Sequence, residues 1–214
     1  MTLNDELLAG LGDAGLEQIA GMLGTDTLTA GKVVEAVSGT IIGGMARNAE
    51  HPDGADALRG ALDDHMDADP FNGDVASLTR DGHSILGHVL GGQGTEQAAA
   101  GLSQLAGVSY GTVMKLLPLI APMVMSLLAN RAAARDMDAG AVADDLNREQ
   151  SSMPGGLGDL LGSLLGDIFG GAVPRQGGPY VDPYRTEQEV APDTSRTVPP
   201  ASRGVAPGTS HPDR

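Results

Sequence analysis

Ser109 lies in Gly107-Val108-Ser109-Tyr110-Gly111, the spacing of a hydrolase nucleophile elbow. In that motif a tight strand-to-helix turn lifts the serine hydroxyl into the open, and a histidine later in the chain activates it. Here a helix-like stretch, 97–106, comes first, and His211, in a Pro-rich tail, is the one histidine downstream. The spacing therefore reads as a helix–helix junction. Gly10-Leu11-Gly12-Asp13-Ala14-Gly15 has the glycine spacing of a dinucleotide fingerprint, which needs a buried strand ahead of it. Only nine residues precede it, and they read as the start of a helix. Lys32 follows Gly31 without the Gly-rich loop or the hydroxyl residue of a phosphate-binding loop.

Metal chemistry fares no better. Counted from Asp67, an EF-hand needs an oxygen ligand, a glycine and a glutamate at its fifth, sixth and twelfth positions. Phe71, Asn72 and Leu78 stand there, so the acidic loop that begins at Asp63 and Asp64 reads as a solvated linker. His83 and His88 are five apart, about 140° around a helix, whereas paired zinc ligands favour one face. The chain has no cysteine, which removes disulfides and thiolate ligands. The expectation is a non-enzymatic protein with no catalytic residue, cofactor or metal.

Residues 102–117 look like the helix-turn-helix of lactose-repressor-type regulators, with Ala106-Gly107-Val108-Ser109 as the turn and Thr112-Val113 opening the second helix. A recognition helix must offer polar groups to base edges and basic ones to phosphates. Lys115 is its one basic residue, and the following 116–129 carries no charge. DNA binding is therefore an alternative and not the leading reading. The net charge of −15 points the same way, because all of the excess falls before residue 175.

Helices must position whatever these residues do. Aromatics make up 2% of the chain and Trp is absent, so the core has to be built from Leu, Ile, Val, Met and Ala, which suits packed helices. A shift of 83 residues brings apolar positions onto apolar positions: Ile19 onto Leu102, Val33 onto Leu116, Val37 onto Ile120, Ile41 onto Val124 and Met45 onto Leu128. Gly24 falls on Gly107. This predicts an all-α fold over 1–150, a compact helical domain from an internal duplication with copies at about 16–66 and 98–149. The uncharged 116–129 is shorter than the ~20 residues that span a bilayer. It also holds Pro118 and Pro122, and reads as a bent core helix.

Beyond the duplication, Gly158, Gly162, Gly166 and Gly170 recur every fourth residue, beside Leu157, Leu161, Leu165 and Phe169. Over 151–172 this spacing predicts a Gly-rich amphipathic helix with a smooth glycine groove beside a leucine stripe, open to close approach by another backbone. Gly158, Leu161, Gly162, Leu165, Gly166 and Phe169 are the expected interaction residues. From 173 to 214 the chain is rich in Pro, Ser, Thr and Arg, a composition that predicts a disordered tail. Met1-Thr2-Leu3-Asn4-Asp5-Glu6 lacks the basic region that opens a secretory signal, so the cytoplasm is the expected compartment.

The stretch Ser84-Ile85-Leu86-Gly87-His88-Val89-Leu90-Gly91, with Leu105-Ala106-Gly107-Val108-Ser109-Tyr110-Gly111-Thr112-Val113 and Leu117-Pro118-Leu119-Ile120-Ala121-Pro122, resembles the bacterial domain-of-unknown-function family nine-three-seven, which is similar to YidB-like proteins. The resemblance covers roughly 1–170. It implies a helical, duplicated fold and brings no activity, cofactor or catalytic residue. The leading expectation is an interaction or self-assembly protein, with a second copy or a protein partner and no small-molecule substrate. Peripheral membrane attachment through the Gly/Leu-rich helix is the other alternative. The acidic Asp159 and Asp167 oppose it, because surface-lying helices favour Lys and Arg.

Overall fold

The structure, a computed structural model, describes residues 1–66, 71, 75–153 and 155–170. The tail expected over 173–214 and most of the acidic loop lie outside the described residues. Among them the fold is all-α, with eight helices and no strand: α1 Leu3–Leu23, α2 Thr27–Asn48, α3 Pro52–Asp64, α4 Val75–Val89, α5 Gly91–Ala106, α6 Tyr110–Ala134, α7 Ala139–Ser151 and α8 Gly155–Phe169.

Local signals set the helix ends. Thr2 caps α1 in a capping box with Asp5, and Asp26 caps α2 by accepting the Thr29 N–H at 2.9 Å. Ser109 and Asp138 do the same for α6 and α7. Each such oxygen satisfies a backbone donor that has no partner within the helix. Gly24 and Gly107, with φ of 69° and 67°, end α1 and α5 in the left-handed conformation that glycine adopts without penalty. The 83-residue shift thus carries glycine stop onto glycine stop and cap onto cap. It also reaches upstream of residue 16, pairing buried Leu3 with Leu86 and Leu7 with Leu90.

α2 and α6 form the buried centre. The apolar run expected over 116–129 is part of a longer helix that continues through Pro118 and Pro122 without a break. By length and composition α6 could cross a membrane, but 67% of its most apolar window is buried inside this fold. The other helices cover that pair: α1 lies against α2, α4 along α6, and α7 across α2 and α3. Ser38 and Thr40, buried in α2, return their hydroxyls to the Glu35 and Ala36 carbonyls at 3.1 and 2.9 Å. Gly12, with φ of 59°, divides α1 into two arms, so the glycine trio that mimicked a nucleotide fingerprint marks a kink inside a helix.

Candidate functional site

α8 lies in a groove between α2 and α5 and turns all its large apolar side chains but Leu160 inward. Leu161 and Leu165 are buried, at 2% and 3% exposure. Leu157, Leu164, Ile168 and Phe169 are half-buried against the same core.

The walls of the groove are glycine where those side chains enter. A Cβ placed on Gly39 of α2 would stand 2.7 Å from Leu161 Cδ1, and one on Gly94 of α5 would stand 2.9 Å from Ile168 Cγ2. Gly43 of α2 and Gly101 of α5 are in still closer contact with Leu165 and Leu164. Four inward side chains of α8 therefore each stand over one glycine. Gly39 and Gly43 are four apart and Gly94 and Gly101 seven apart, so each pair shares one helix face. A side chain at these positions would displace α8 or the leucine beneath it.

The outward face of α8 is bare. Gly162 and Gly166 are exposed, and an added Cβ at either would meet nothing within 4 Å. Asp159, Ser163 and Asp167 share that side, with Leu160 at 54% exposure. Of the six residues expected to make contacts, Leu161 and Leu165 point into the chain's own body, and Gly158 and Phe169 are half-buried. Within the chain, the close approach comes from the glycines of α2 and α5. Sequence reading had not singled them out, although their spacing is a helical signal.

Docking offsets the glycine content of α8. Its interior glycines, Gly158, Gly162 and Gly166, cost about 3 kcal/mol of helix propensity relative to alanine. Burial of Leu161 and Leu165 contributes about 3–6 kcal/mol. The helix therefore depends on the surface it docks against.

A second cluster fastens the N-terminus to α6 and α7. Arg131 Nη1 donates to Glu149 Oε1 at 2.6 Å and Asp145 Oδ2 at 3.1 Å, and Nη2 donates to Glu6 Oε1 at 2.7 Å. The other Glu149 oxygen accepts the Leu3 N–H at 2.8 Å. Arg135 and Arg148 approach Asp145 at 3.5 and 3.7 Å, so three cations face three carboxylates. Burial disfavours the charged form of Arg131, but the hydrogen bonds to Glu149, Glu6 and Asp145 outweigh it and raise its pKa above the ordinary value. The cluster ties three helices together.

Ser109 has a structural role. The Ser109 hydroxyl caps α6, 3.2 Å from the Thr112 N–H and 2.6 Å from its hydroxyl. His83 and His88 are exposed on α4, and His88 Nδ1 lies 2.8 Å from the Ser84 carbonyl oxygen. Among the described residues no group of three His, Cys, Asp or Glu side chains could hold a metal ion. At the repressor-like corner, α6 is core from Val113 onward, with Tyr110, Gly111 and Lys115 left exposed.

No curated protein and no solved structure is significantly similar to the chain. The family described as "Bacterial protein of unknown function (DUF937)" matches residues 5–131, which runs from the first arm of α1 into the last turn of α6. The match includes all four groove glycines and ends at Arg131, short of the 1–170 expected, so that α7 and α8 fall outside it. It spans more than half of the 214 residues, and the chain belongs to that family.

Proposed function

We propose that the protein is a non-enzymatic interaction and self-assembly protein whose contacting element is α8. The observation that carries this reading is the seating of Leu161, Leu164, Leu165 and Ile168 over Gly39, Gly101, Gly43 and Gly94 of the body, in that order. Amphipathic helices are recognised in this way, by apolar anchors at helical spacing that enter a groove. A helix so rich in glycine takes its order from what it docks against, which suits an element that changes partners. The partner is a second copy or a protein that carries a helix of the same kind.

Attachment to a membrane surface would use the same leucine face, but Asp159 and Asp167 would then meet anionic headgroups. Two measurements test the proposal, and the second separates the readings. Leu161→Asp with Leu165→Asp abolishes the inward face, so the mass measured by light scattering should fall to one copy. Flotation of the full-length protein with phosphatidylglycerol vesicles should leave it in the lipid-free fraction. An assembly that survives the double substitution, or flotation with lipid, contradicts the proposal.

A further inference from the structure

We infer that the α2/α5 groove is an exchangeable receptor, and that in the assembled protein it holds the α8 of a second copy in place of its own. The inference rests on the self-assembly reading above and names how the copies join. The occupant is argued from the groove itself. Its four glycines accept Leu161, Leu164, Leu165 and Ile168 one to one, and no segment matches that register better than another copy of the helix that already fits it. The contacts that α8 makes with the groove glycines within one chain are reproduced between two, so exchange keeps that packing.

Connectivity favours exchange. Three residues, 152–154, separate the end of α7 from the start of α8. Short joints beside a docked terminal element are where chains exchange that element most readily. The two parts also differ in family membership: the groove walls lie within the matched 5–131, whereas α8 is appended beyond it. The bare outward face of α8, with Gly162 and Gly166, stays exposed in either arrangement.

The chain has no cysteine, so a thiol placed in it reports one position only. Full-length Gly101→Cys and Leu164→Cys, one of them mass-tagged, are mixed at high concentration and oxidised. Neither can form a bond within its own chain. The added Cβ at residue 101 crowds Leu164 of its own chain, while the shortened side chain at residue 164 leaves room for it. Exchange predicts a mixed disulfide between the two variants, several-fold above either same-variant product. It also predicts that Gly162→Leu with Gly166→Leu, which alters only the outward face, leaves the assembled mass unchanged. Should circular dichroism show Gly101→Cys unfolded, the Gly43→Cys and Leu165→Cys pair reads the same contact from α2. A light-scattering mass above one copy with no mixed disulfide overturns exchange and leaves self-assembly standing through another face. A mass of 21.7 kDa at every concentration overturns both.

Discussion

The Pro118 carbonyl of α6 occupies the place where a side chain on Gly82 of α4 would begin. Pro122 has no N–H, so this carbonyl lacks the helical donor it would otherwise meet one turn on. Gly82 lets the backbone of α4 close against it. The glycine of one helix and the proline of the other are thus one packing device.

That contact predicts opposite outcomes for two glycines of the same helix. Gly82→Ala pushes a Cβ into fixed backbone and should destabilise the fold by about 3 kcal/mol or more, the upper end of overpacking costs. Gly87→Ala, at an exposed position with nothing within 4 Å, should stabilise it by about 1 kcal/mol through helix propensity. Urea unfolding at constant m-value reads both. Equal effects from the two substitutions would refute the packing account.

The Arg131 cluster predicts a penalty for removing its cation. Arg131→Met leaves buried Asp145 and Glu149 without their shared donor and should cost about 3–5 kcal/mol. Arg131→Lys keeps the charge, but a single ammonium cannot replace the fork that reaches Glu149, Asp145 and Glu6 together. It should recover only part of the loss in midpoint denaturant concentration. Full recovery with lysine would show that charge alone matters.

Asp26 predicts a pH signature. The backbone N–H and then the hydroxyl of Thr29 hold its carboxyl below the ordinary 3.8. A depressed folded-state pKa contributes stability that is complete above the unfolded value and lost as pH falls through the folded one. Asp26→Asn keeps a capping oxygen but does not titrate. The advantage of the wild type over this variant should therefore hold at neutral pH and shrink as pH falls below about 3.8. A gap that is flat across that window would remove the carboxylate from the account.

Some of this was legible in the chain and some was not, for physical reasons. Gly24 and Gly107, followed two residues on by Asp26 and Ser109, are local signals, and local signals place helix ends. The leucine stripe of α8 is likewise visible as helical periodicity. Which glycines receive it is a long-range fact: Gly39 meets Leu161 across more than a hundred residues, and spacing within one helix does not say which face meets which. Arg131 hid for the same reason, because Glu6 lies 125 residues away and neither residue stands in a motif. Pro118 and Pro122 lie inside α6, which runs on through both, with α4 packed along it.

The most direct test of self-assembly is the absolute molar mass of the full-length wild-type protein, measured by light scattering across a dilution series. The account predicts a multiple of 21.7 kDa at high concentration that falls toward a single copy on dilution. A mass of one copy at every concentration would contradict it.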